Sequence, residues 1–147
     1  MDYKTILRHN LATLAFRATY ALKDTGKDFA DFSPGYEVRT PKEILTHMMQ
    51  MMHYVDLTFK DEKFYKIEVE DFDSAFKQLI SNLKKLDSTI ANLDSSEEVK
   101  IIMLYQGPIL DAMTHVGQLT MLRRLSGDPV KVTKYYEAPV TIGKFEY

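Results

Sequence analysis

From Phe72 to Leu93 the apolar residues return at alternating intervals of four and three: Phe72, Phe76, Leu79, Leu83, Leu86, Ile90 and Leu93. That rhythm puts one narrow stripe along a helix, the seam by which helices of a bundle interdigitate. A stripe of this length cannot stay in water, so the chain must supply further helices to cover it. The seam holds no ionisable residue. This helix, read as running from Asp71 to Leu93, is therefore expected to supply packing and no ligand. Lys77, Lys84, Lys85 and Asp87 are assigned to a solvated surface.

The covering helices are legible on either side. Over residues 3–24, Tyr3, Leu7, Leu11, Leu14, Ala18, Ala21 and Leu22 line one face at helical spacing, with His9, Phe16 and Tyr20 on the other. That second stripe reads either as a partner surface or as partly exposed aromatics beside a solvated histidine. Residues 25–39 carry Gly26, Pro34 and Gly35 and form a long loop, a candidate for lining a site entrance. Thr40-Pro41-Lys42-Glu43 then combines an N-cap, a proline in the first turn and a capping box, starting a helix that reaches about Phe59. Residues 60–70 are a charged connector. Ser95-Ser96-Glu97-Glu98 is a second capping-box pattern, ahead of an apolar segment at 99–105. Gly107-Pro108 interrupts, and a proline there should bend or restart the helix. The last helix ends at Gly127, with Arg123 and Arg124 in its final turn and Pro129 beyond. From Val130 the β-prone residues, broken by Pro139 and Gly143, read as an extended tail over the bundle or over a neighbouring subunit. The fold class expected is all-α: a four-helix bundle with an irregular C-terminal tail, a single domain over 1–147.

Charge and composition narrow the function classes. Net charge is −2 and no dense Lys/Arg run exists, so the basic footprint of a nucleic-acid binder is missing. The 147 residues include no cysteine, which excludes disulfides, thiolate metal sites and a cysteine nucleophile. Met1-Asp2-Tyr3-Lys4 opens an amphipathic segment rather than a secretory signal, and no apolar run approaches the length that spans a membrane. The location expected is the cytosol, with a small molecule as substrate and no membrane partner.

Chemistry concentrates on the last helix. Asp111, His115, Gln118, Leu122 and Leu125 fall within about 80° of arc on a helical wheel. Leu122 and Leu125 mark that sector as facing the core, so three polar side chains are expected to point inward, where burial costs free energy unless they are satisfied. A metal ion held by Asp111 and His115, spaced i and i+4, would satisfy them. A third ligand is expected from the second helix, where His47 sits among Ile44, Met51, Tyr54 and Val55 on the wheel, whereas His53 lies on the other side with Thr46, Met49 and Asp56. Two imidazoles and a carboxylate from two helices suit Zn(II), Ni(II) or Fe(II) and leave coordination positions open. Gln118 is placed to orient a ligand from behind. The competing reading is a hydrogen-bonded polar core without metal, in a non-catalytic bundle that binds a small ligand or partner. The run Met48-Met49-Gln50-Met51-Met52 offers soft thioether ligands for copper(I), but its positions spread over a wide arc, as core-filling methionines do.

These residues carry a resemblance. A histidine within the second helix, then Asp111-Ala-Met-Thr-His115-Val-Gly-Gln118 and Leu122-Arg123-Arg124-Leu125-Ser-Gly-Asp-Pro129, resembles the DinB/YfiT-like family of metalloenzymes. The tail Tyr135-Tyr136-Glu137-Ala138-Pro139-Val140-Thr141-Ile142-Gly143 is similar to the closing segment of one branch. The resemblance implies up-down-down-up topology, frequent homodimers, and a divalent metal, Ni or Zn, bound by three side chains. On that match His47 and His115 take ligand positions; Asp111 stands where the family often has histidine. It also implies, for some relatives, transfer of a low-molecular-weight thiol or its use as a cofactor. Many relatives carry a tryptophan near the site; this chain has none. A homodimer face is expected from Leu110, Thr114, Gly117 and Met121 of the last helix, opposed to the ligand side, together with Phe16 and Tyr20.

Overall fold

In the computed structural model, which describes residues 2–94 and 97–147, four helical rods surround one apolar core. The first is α1 (Tyr3–Leu22), started by Asp2, whose carboxylate accepts the Thr5 N–H at 2.7 Å. The second is α2 (Pro41–Phe59), started by the expected capping box: Glu43 N–H donates to Thr40 Oγ1, and Thr40 N–H donates back to the Glu43 carboxylate. The third is α3 (Phe72–Ala91), capped reciprocally by Asp71 and Ser74. The fourth rod is composite, made of α4 (Glu98–Leu104), a π turn over Tyr105–Ile109 and α5 (Leu110–Leu125). The capping box expected at 95–98 falls partly on residues outside the described ones.

Rod directions follow from paired contacts. Arg8 of α1 meets Asp87 of α3, and Lys4 meets the Leu93 carbonyl, so α1 and α3 are antiparallel. Asn82 Nδ2 donates to the Met49 carbonyl and Thr89 Oγ1 to Asp56, so α2 and α3 run parallel. Lys100 pairs with Asp61 beyond the end of α2, while His115 lies against His47 near its start, so the fourth rod is antiparallel to α2. Rods one and four therefore point one way, two and three the other. A parallel α2–α3 pair needs a connector that climbs back along the bundle. The 19-residue α2 is about 28 Å long, a span that residues 60–71 cover when extended at ~3.3 Å each. Gln50 holds this connector in place, donating to the Ile67 carbonyl at 2.6 Å and accepting its N–H at 3.2 Å.

Four sequence readings are corrected. Gly107-Pro108 does not break the last helix. Pro108 has no N–H to give the Leu104 carbonyl, and its ring would press on that group. The rod widens locally instead, and Leu110 N–H bonds to Tyr105, five residues back. The inward residues record the extra residue: Ile101, Leu104, Ile109, Ala112, Val116 and Leu119 are all buried, with one interval of five among threes and fours. Asp87 is not on a solvated surface. It is 6% exposed, and its two oxygens accept from Arg8 Nε and a terminal Arg8 nitrogen at 2.8 and 2.9 Å. The long stem of Arg8 lets α1 neutralise a carboxylate that sits one position off the seam. Phe16 and Tyr20, read as open to a partner or to solvent, are partly covered by this chain's own tail. Phe16 meets Tyr147 edge-on with ring centroids 5.1 Å apart, Tyr20 Oη donates to the Lys131 carbonyl at 2.9 Å, and Tyr135 lies under the Arg17 guanidinium. Phe145 is buried beside them in the core. Finally, Leu125 does not face the core: it is exposed, whereas Leu122 is buried. Met48, Met49 and Met52 are buried core residues, as their spread around the helix suggests.

Candidate metal centre

His47 lies in the second turn of α2, and the capping box at Thr40 fixes where that turn begins. Asp111 and His115, one turn apart on α5, share a face because side chains four residues apart stack along a helix. Where α2 passes α5 the three converge. His47 Nε2 is 3.8 Å and His115 Nε2 3.3 Å from the same oxygen, Asp111 Oδ2. The imidazole rings stand nearly perpendicular with centroids 5.0 Å apart. One donor atom from each residue lies within 4.8 Å of the others. Ligands about 2.1 Å from a tetrahedral ion are about 3.4 Å apart, so the two measured separations need little adjustment to hold one.

The orientation of His115 is the most informative detail. Its Nδ1 lies 2.8 Å from Gln118 Oε1. A carbonyl oxygen only accepts, so in the neutral ring Nδ1 is the donor and Nε2 keeps its lone pair. That Nε2 is buried and makes no hydrogen bond. A buried lone pair without a partner costs free energy, and an ion at the Asp111 carboxylate would complete it. The donor set and the orphaned nitrogen fit a divalent ion, and Gln118 is the group behind the ligand that such sites use to set the tautomer.

The same face opens to solvent. The Asp111 side chain is 49% exposed and that of His47 39%. The expectation that Asp111 and Gln118 point into the core is corrected: both are exposed, as is Leu125, and only His115 and Leu122 of the sector are buried. Loop residues Pro34, Val38 and Arg39 stand off from α5 and leave a groove of about 770 Å³ that reaches His115 and Gln118. This is the loop the sequence marks for a site entrance. Thr114, Gly117 and Met121, expected opposite the ligand side, line the same groove as His115.

The histidines sort as expected with one inversion. His9 is exposed and His53 is remote from the cluster, packed against Tyr65 with ring centroids 4.6 Å apart. But His53, not His47, is the deeply buried one, because the connector folds Phe64 and Tyr65 over it. Arg39 went unremarked in the sequence; its place in the entrance loop, directly before the Thr40 cap, was the only signal.

Burial holds the His47 pKa below 6.5, with the nearby His115 and Arg39 adding to the effect and Asp111 opposing it. The sign follows: the folded state prefers neutral His47, so this residue costs stability as pH falls below 6.5 and costs nothing above it. In metal-free protein an NMR titration should place the His47 midpoint below 6.5. A midpoint above that value would show that the Asp111 charge dominates. Neutral imidazole is also the form that ligates metal.

Comparison with protein-family models, with curated proteins and with solved structures finds no match.

Proposed function

We propose that this chain is a DinB/YfiT-like divalent-metal protein and a metal-dependent enzyme, a thiol S-transferase or a hydrolase acting on a small molecule in the cytoplasm. The observation that carries the reading is the buried, unpartnered Nε2 of His115, turned toward the carboxylate that His47 also approaches. Zinc or nickel suits two imidazoles and one carboxylate. His47 and His115 would hold the ion as neutral imidazoles, Asp111 would supply the charge, and Gln118 would keep the His115 ring in place. The bound ion would supply Lewis acidity, lowering the pKa of an acidic proton on a ligand. The open face supports catalysis, since a closed shell of protein ligands is the mark of a structural site. Elemental analysis of protein purified without an affinity tag tests the reading, and about one equivalent of transition metal per chain is expected. Metal-free protein whose melting temperature zinc does not change would leave the second reading, a hydrogen-bonded triad in a non-catalytic bundle. The close Asp111–histidine separations are the observation favouring that alternative.

A homodimer is part of the proposal. Val99, Ile102, Met103 and Leu110 leave an exposed apolar strip along the fourth rod, a surface a second copy could cover. Light scattering at high protein concentration should return twice the chain mass; a monomeric mass counts against it. No helix among the described residues is long and apolar enough to cross a membrane.

A further inference from the structure

The groove beside the triad is apolar along most of its length, and its polarity is confined to particular places. Ile44, Met121, Leu122 and Leu125 form its walls, His115 and Gln118 stand at the triad end, and Arg39 comes from the entrance loop. Arg39 makes no hydrogen bond or ion pair among the described residues. Glu37, two residues before it, makes no ion pair with it, and Glu43, four residues after, is committed to the helix cap, accepting from Thr40 N–H at 2.7 Å and Thr40 Oγ1 at 3.0 Å. A guanidinium with five donors and no acid of its own, set on an apolar groove, matches the head of an organic acid.

We propose that the groove binds a small amphiphilic carboxylate, its acid group paired with Arg39 and its apolar body on Ile44, Met121, Leu122 and Leu125, beside His115. This names a substrate class for the proposed metal centre and rests on that reading only for the chemistry at His115. The binding geometry itself needs the groove and Arg39. Arginine and not lysine suits the position, because a planar fork can hold both carboxylate oxygens.

Octanoate and octanamide share a chain and differ in charge, so they are the probes. Calorimetric titration of the full chain, zinc-treated and chelator-treated, should show octanoate binding at least ~10-fold tighter than octanamide in both states. Arg39→Met should bring octanoate down to the octanamide level, and Arg39→Lys should keep part of the preference. Leu125→Asp, at an exposed wall position, should weaken both probes. Equal affinity for the two probes, no binding of either, or a preference that survives Arg39→Met would overturn the proposal. A preference that survives Arg39→Met but vanishes on chelation would make the carboxylate a metal ligand: the groove proposal fails and the metal centre stands. A preference in protein that takes up no zinc would uphold the groove proposal while the metal reading falls.

Discussion

Replacing His115 by alanine should abolish stoichiometric zinc binding, lowering affinity by about 100-fold or more. The figure follows from the ~10–16 kcal/mol that a full set of ligands contributes at a zinc site, of which one ligand is a quarter or a third. The comparison variants separate ligation from packing. Asp111→Asn keeps the shape and loses the charge, so binding should weaken without disappearing. Asp111→His should retain a site, since imidazole is a good ligand at that distance. Gln118→Ala touches no metal, yet should cost ~10–100-fold in affinity, because the His115 ring would lose the acceptor that fixes its tautomer. Removing metal should lower the melting temperature of the wild type by mass action and leave His115→Ala unmoved. If the wild type and His115→Ala take up zinc equally, the convergence of the three side chains has no bearing on metal.

The second large effect concerns stability and lies at the far end of α5. Arg123 is 6% exposed and its guanidinium makes four hydrogen bonds: Nη1 donates to the Ala21 and Lys23 carbonyls, Nε to the Asp128 carbonyl, and Nη2 to the Asp128 carboxylate, while its own carbonyl accepts from Ser126 Oγ and Asp128 N–H. The Ala21 and Lys23 carbonyls close α1, where helical partners run out. One guanidinium thus satisfies the C-terminal end of α1 and ties it to the turn that stops α5. Arg123→Met keeps much of the volume and strands those acceptors. We expect a loss of about 3–5 kcal/mol, the usual consequence of removing one partner from a buried charged network. For a chain of this size that corresponds to a melting temperature lower by roughly 6–20 °C. Asp128→Asn should cost much less, since the Asp128 side chain is half exposed and its backbone carbonyl would still be bound. Urea denaturation of the two variants decides it, and equal losses would show that the carbonyl contacts contribute little.

The sequence exposed the architecture wherever one helix announces itself. The seam of α3, the cap at Thr40 and the i,i+4 pair on α5 are local, so they can be read along the chain. The metal-ligand candidates were legible for the same reason: a helical wheel fixes Asp111 and His115 against each other, and sets His47 and His53 about 120° apart. What the wheel could not supply was depth. It gives direction around one axis, while burial depends on what the rest of the chain lays against that direction. Asp87 is buried because Arg8 arrives from 79 residues away, and His53 because the connector crosses it. Leu125 is exposed because the entrance loop stands off. Phe16 and Tyr20 form an aromatic stripe that either a partner or the tail could cover, and only the folded chain chooses.

The π turn at Tyr105–Ile109 makes the fourth rod sensitive to the number of its residues as well as their kind. Arg123 anchors α5 to α1, so α4 is the half free to swivel if that number changes. If every residue were kept and the turn closed as uninterrupted α-helix, α4 would rotate by about 100°. Ile101 and Leu104 would leave the core, and the neighbours now facing solvent, Ile102 and Met103 among them, would be driven toward positions they do not fit. A frame-preserving deletion of one residue would instead turn the interval of five between Leu104 and Ile109 into four, the spacing of an ordinary helix, and keep both halves in phase, whereas an insertion would not. Length in this stretch is an inherited quantity, and the fold reads it as an angle.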